Sequence, residues 1–244
     1  MDKPRRYKSK RIFDFTWSPN LAYAVGLITT DGCLSNDRRH VIFTSQDLEM
    51  IRNMKLILRN TDKVCLTKNS RSEAYRIQPS NVQLYDWLFS IGLTPHKSLT
   101  IGAIDVPDRY FVDFLRGHLD GDGSIQTYTD FYNTTKNPKY VYERIFVKFI
   151  SASKNHIVWL HEKIVKNLGV HGAVHMTKEK DPKKNPMHII KFSKKESLKL
   201  LPQLYYSDSV PCLSRKKILY TDFLKKYIRI SYKDNYFISK YISR

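Results

Sequence analysis

Aspartates set among glycines are the residues here whose types and spacing could do chemistry. The stretch "FLRGHLDGDGS", Phe114 to Ser124, ends an apolar run in Asp120 and Asp122 wedged between three glycines, and "YAVGLITTDGC", Tyr23 to Cys33, holds Asp31 in the same setting. Superposed, Gly26 falls on Gly117, Ile28 on Leu119, Thr30 on Gly121, Asp31 on Asp122 and Gly32 on Gly123. Gly26 with Thr30, and Gly117 with Gly121, are small residues four apart, which share one helix face and let two backbones approach closely. The two helices are therefore expected to pair and to carry Asp31 and Asp122 to one place. Helix C-termini are electronegative, so two carboxylates there repel and raise each other's pKa. A divalent cation with oxygen ligands, most plausibly Mg²⁺, fits that pair and leaves room for water and a phosphate. Asp120 lies on another face, opposite Thr29, and takes no catalytic role.

The elements that must position these acids repeat as well. "FTSQDLEMIRNMKLIL" from Phe43 aligns with "FISASKNHIVWLHEKI" from Phe149, which sets Ala152 opposite Gln46. The second copy carries extra residues, which the polar run "TDFYNTTKNPK" accommodates as a loop. In the first copy Ser18 is the expected N-cap and Pro19 the first residue of a helix that stops at Gly32. Alternation and helical spacing then give the order αββαββα in both copies. The predicted fold is α+β: a first repeat over 1–98, a linker over 99–108, and a second repeat over 109–244 that ends in an additional helix.

Charge names the partner class. The 244 residues hold 42 Lys and Arg against 23 Asp and Glu, a formal net charge of +19. Such a surplus is understood if a polyanion supplies the counter-charge, and 16 tyrosines suit a wide polar contact surface. No apolar run approaches the roughly 18 residues that span a bilayer, so no membrane is expected. The basic start "MDKPRRYKSKR" lacks the apolar stretch of a secretory signal, which gives an intracellular expectation with the host compartment unread. Cys33, Cys65 and Cys212 form no CxxC pair, so neither a zinc site nor a disulfide framework is indicated.

"AVGLITTDG" and "LRGHLDGDG" resemble the two motifs of single-chain LAGLIDADG homing endonucleases, and the repeated order extends that resemblance over nearly the whole chain. The resemblance implies a monomer whose two curved antiparallel sheets form a saddle on double-stranded DNA, over a long asymmetric site, with the motif helices as its interface. Asp31 and Asp122, with the backbone of Thr30 and Gly121, would hold Mg²⁺. Mn²⁺ would substitute, and Ca²⁺ would support binding without cleavage. One phosphodiester per strand would be cut to leave short 3′ overhangs. Gln46 would help organise the hydrolytic water, with Ser151 or Ser153 replacing it in the second copy. Lys97 and Lys216 would lie near the reacting groups, with Arg215 a close competitor of Lys216.

DNA contacts are expected from Ser35, Asn36, Arg38, Arg39, His40, Thr44, Lys68, Asn69, Arg71, Arg76 and Gln78 in the first copy. In the second they are expected from Gln126, Tyr128, Arg144, Lys148, His175, Thr177, Lys178, His188 and Lys191. Alternation lets only about half of these strand residues face DNA. The alternative reading is an RNA maturase or DNA-binding regulator on the same fold; loss of a motif acid would mark it, and both acids are present. The chain starts at Met1 and ends "YISR" without a splicing nucleophile or terminal His-Asn, so a free-standing product of a mobile intron is expected rather than an intein.

Overall fold

A computed structural model describes residues 13–59, 63–68, 73–178, 181 and 185–233. Two helices form its centre. In α1, Pro19–Asp31, the Ser18 hydroxyl accepts from the Leu21 amide at 3.2 Å, and every residue from Leu21 to Thr29 is buried. Its counterpart α4, Phe111–Asp120, follows a short 3-10 turn at Asp108–Tyr110 and is buried almost all round. A helix apolar on all sides, as α1 is, belongs inside a core; α4 also buries Asp113, Arg116, His118 and Asp120. These two pack against each other as the spine of the molecule.

Each spine helix leads into a four-stranded antiparallel sheet. The first has the order β1 (Gly32–Leu34), β2 (Val41–Ser45), β4 (Glu73–Ile77), β3 (Cys65–Lys68), with α2 (Leu48–Ile57) connecting β2 to β3 and α3 (Val82–Ser90) following β4. The second repeats it as β5 (Ser124–Asp130), β6 (Tyr142–Ser151), β8 (His188–Phe192), β7 (Ala173–Met176), with α5 (Lys154–Leu168) and α6 (Lys194–Leu204). A last helix, α7, spans Ser214–Lys233 and packs on β5 and β6. Alternation sorts the strands: Phe43 and Ile77, like Val147, Phe149, Ile190 and Phe192, enter one continuous core beneath the helices. Their neighbours in the strands point to the opposite, uncovered side.

The αββαββα order holds in both halves. One boundary moves: β5 continues to Asp130, into the stretch read as loop, because Thr129 bonds Glu143 at 2.7 Å and Asp130 pairs with Arg144 at 3.0 Å across the ladder. Residues 91–107 contain neither helix nor strand. No helix among the described residues is long and apolar enough to cross a membrane.

Candidate active site

The spine helices touch where their side chains are absent. A Cβ added to Gly26 would fall 2.1 Å from the Phe114 carbonyl oxygen, and one added to Gly117 would fall 2.1 Å from that of Tyr23. At the end of the pair, a Cβ on Gly121 would meet Thr30 Oγ1 at 1.9 Å and Asp31 Oδ2 at 3.0 Å. The small-residue stripe thus marks the closest approach, and it brings Asp31 of one helix beside the Gly121–Asp122 turn of the other.

Burial raises the pKa of Asp31 to about 7, with the Asp122 charge adding to it while Lys216 and Lys97 oppose it. Asp122, at the mouth of the site, is raised by desolvation against Lys97 and Lys216. Neither carboxylate takes a hydrogen bond or salt bridge among the described residues. Two such oxygens fit a hard divalent cation, which commonly uses one or two carboxylates and completes its shell with water and phosphate. No group of three or more His, Cys, Asp or Glu suited to a metal exists among the described residues. Of the two backbone ligands expected, the Gly121 carbonyl already accepts a 3.3 Å bond from Lys216. Thr30 directs its hydroxyl back to Leu27 at 2.9 Å.

Two lysines sit under the helix ends. Lys97 is buried and donates to the Gly32 carbonyl. Lys216 is buried and donates to the carbonyls of Leu119 at 2.6 Å, Asp120 at 2.8 Å and Gly123 at 2.7 Å. Gly32 and Gly123 are equivalent in the repeat, so each ammonium satisfies carbonyls that a helix C-terminus leaves open. Desolvation lowers both lysines, Lys216 to about 8. Arg215, the competitor, is exposed and paired with Asp47 at 2.9 Å.

The remaining candidates separate. Gln46 is exposed directly after β2. Its counterpart Ala152 lines a 190 Å³ cavity together with Asp122, Lys97, Ser151 and the imidazoles of His118 and His156. Ser153 is committed elsewhere: it caps α5 and donates to the Ile101 carbonyl at 2.5 Å. Of the two serines expected, Ser151 is the one that lines this cavity with Asp122, where Thr29, Thr30 and Ser98 also lie. Sequence reasoning missed the buried pair His118 and His156, Nε2 to Nε2 3.0 Å apart, both held neutral by burial. It also missed the structural use of Asp120, a buried carboxylate that accepts from the Tyr23 hydroxyl and the Leu213 amide. A charged residue inside the apolar stripe was the available signal.

The DNA candidates divide by register. Thr44 and Arg76 are paired on the open face of the first sheet, and Gln78 accepts from Arg76 at 2.6 Å. Ser35, Asn36, Arg38, Arg39 and His40 form the exposed to half-exposed β1–β2 turn, tied down by Asp37. On the second sheet Gln126, Tyr128, Arg144, Lys148, Lys191 and His175 share the open face, where Lys191 lies 4.5 Å over the Phe146 ring and Tyr128 stacks on that ring. Thr177 and Lys178 follow β7. His188 has the register of Ile190 and Phe192 and so turns to the helix side, a correction to its expected place. Lys68 ends β3 opposite Glu73. Asn69 and Arg71 lie outside the described residues.

No family model and no curated protein matches the chain. Solved structures do. The homing endonuclease I-WcaI, bound to its DNA recognition sequence, superposes with a TM-score of 0.57 at 13% identity, covering 83% of this chain and 87% of that one. The I-LtrWI LAGLIDADG homing endonuclease bound to target DNA gives 0.56 at 13%, covering 88% and 92%. I-DmoI in complex with DNA and Mn gives 0.50 at 16%, covering 78% and 97%.

Proposed function

We propose that this chain, which has the fold of the LAGLIDADG homing endonucleases, is a site-specific double-strand DNA endonuclease. It would hydrolyse one phosphodiester per strand and leave short 3′ overhangs. The observation that carries this reading is the unpartnered carboxylate pair, Asp31 beside Asp122, with Lys97 and Lys216 buried at the same helix ends. A fold alone assigns no chemistry, so the reading rests on that site.

The chemistry supplied by a bound Mg²⁺ or Mn²⁺ is polarisation of the phosphate and of an attacking water. Asp31 and Asp122 would hold the ion, which would relieve the desolvation that raises both carboxylates and the Asp122 charge that adds to it at Asp31. Lys97 and Lys216 add fixed positive charge where negative charge develops during hydrolysis. Gln46 in one half and Ser151 in the other are the polar groups suited to orient water. The open sheet faces, with Arg76 on one and Arg144, Lys148 and Lys191 on the other, supply backbone and base-edge contacts to a monomer's two half-sites.

Asp31→Asn and Asp122→Asn test this in gel-shift and cleavage assays on a cognate duplex. Each variant should lose double-strand cleavage and keep DNA binding. Full cutting by either would remove that residue from the site, and binding without cutting by the wild type would leave a maturase or regulator.

A further inference from the structure

Each lysine segment is gripped by the opposite repeat. After Lys97, which belongs to the first repeat, the Ile101 carbonyl accepts from Ser153 Oγ at 2.5 Å and the Gly102 carbonyl from His156 Nδ1 at 2.7 Å; these donors are the N-cap and a first-turn residue of α5 in the second repeat. Before Lys216, which belongs to the second repeat, the grip comes from α2 of the first. Asn53 donates to the Cys212 carbonyl at 3.3 Å, and Glu49 accepts from the Ser214 amide at 2.9 Å and its hydroxyl at 2.5 Å. Asp47, equivalent to Ser153 in the repeat, holds Arg215. The cavity has the same crossed composition, with Asp122 and Ser151 from the second repeat and Lys97 from the first.

Building on the endonuclease reading, we propose that the two active sites are crossed composites, in which α2 of the first repeat positions Lys216 under the α4 end and α5 of the second repeat positions Lys97 under the α1 end. Glu49, Asn53 and Ser153 are then positioning residues, each acting through one lysine on one DNA strand. The lysines they hold are fixed at the two motif turns, Lys97 on the Gly32 carbonyl next to Asp31 and Lys216 on the Gly121 and Gly123 carbonyls on either side of Asp122. A buried ammonium fixed to main-chain carbonyls moves when the backbone that carries it is released, and small displacements in an active site cost large factors in rate.

Two readouts test this, one independent of cleavage. In the DNA-free protein, lysines are acylated with a water-soluble amine reagent and mapped by mass spectrometry. Glu49→Ala and Asn53→Ala, at partly exposed positions that a folded chain tolerates, should raise labelling of Lys216 and leave Lys97 protected; Ser153→Ala should do the reverse. In strand-resolved cleavage, Glu49→Ala should slow by about tenfold or more the strand that Lys216→Met slows, and Ser153→Ala the other, each accumulating nicks. The double variant Glu49→Ala/Lys216→Met should be no slower on that strand than Lys216→Met alone. Unchanged labelling in Glu49→Ala and Asn53→Ala, or equal slowing of both strands, would overturn the proposal. A wild type that binds but never cuts would remove the endonuclease reading while the labelling pattern still decides the grip.

Discussion

The Tyr23 hydroxyl on α1 donates to Asp120 Oδ2 on α4 at 2.9 Å, and the same oxygen accepts from the Leu213 amide at 2.7 Å. One buried carboxylate thus ties the two repeats to the segment that leads into Lys216. Its other oxygen, Oδ1, has no hydrogen-bond partner among the described residues.

Burial raises Asp120 to about 6 against Lys216 and its two hydrogen bonds. An unfolded aspartate loses its proton near 3.8, so between about pH 4 and 6 the folded state holds more protons and stability falls as pH rises. Asp120→Asn keeps an acceptor oxygen and removes that dependence. Its melting temperature relative to wild type should climb from pH 4 to pH 6.5, by the equivalent of about 3 kcal/mol at most. A constant difference across that range would mean that the carboxylate is not strained by burial.

Gly117→Leu should lose about 3 kcal/mol or more, because the added side chain begins 2.1 Å from the Tyr23 carbonyl oxygen and must force the spine apart. For a chain of this size that lowers the melting temperature by about 6–12 °C. Thermal melts check it, and an unchanged transition would mean that α1 and α4 do not meet there.

Asp31 is costly to the apo protein. With its folded pKa near 7 against 3.8 in the unfolded chain, the folded state holds the extra proton between about pH 4 and 7, so stability falls across that range and the deficit is complete above it. Asp31→Asn should therefore be more stable than wild type at pH 8, by about 1–2 kcal/mol after allowance for solvent screening, and no more stable at pH 4. Adding Mg²⁺ or Mn²⁺ should raise the melting temperature of wild type and leave the variant unmoved, since a ligand that binds only the folded state stabilises it. Equal metal responses would place the ion elsewhere.

Lys148 lies opposite Ser124 and Lys191 on the open face of the second sheet, and under the proposed function it would contact the DNA backbone. Lys148→Ala should weaken binding to all sequences alike and reduce the slope of log affinity against log salt by about 0.9. Titrations in Ca²⁺ measure it without cutting. A change confined to one base position would make Lys148 a base reader instead.

The repeat made most of this legible in the residues. Matching Gly26 to Gly117 located the helix contact, whereas the bonds of Lys97 to the Gly32 carbonyl and of Lys216 to the Gly123 carbonyl came only from the structure. Less could be read where the copies diverge. Asp120 faces Thr29 in the repeat, and nothing in a one-dimensional pattern shows that a tyrosine 97 residues earlier reaches it. Arg215 and Lys216 are neighbours of like charge, and only three-dimensional burial separates the one paired with Asp47 from the one under α4. The register of His188 depended on where β8 begins, which alternation in a short strand does not fix.

Cleavage selection on a randomised duplex library with Mg²⁺, reading both ends of every product, tests the central claim most directly. The expected result is one long asymmetric site, cut once per strand to leave short 3′ overhangs, with no products in EDTA and none in Ca²⁺. Cutting in EDTA, scattered nicks without a preferred site, or binding with no cleavage in any divalent metal would contradict it.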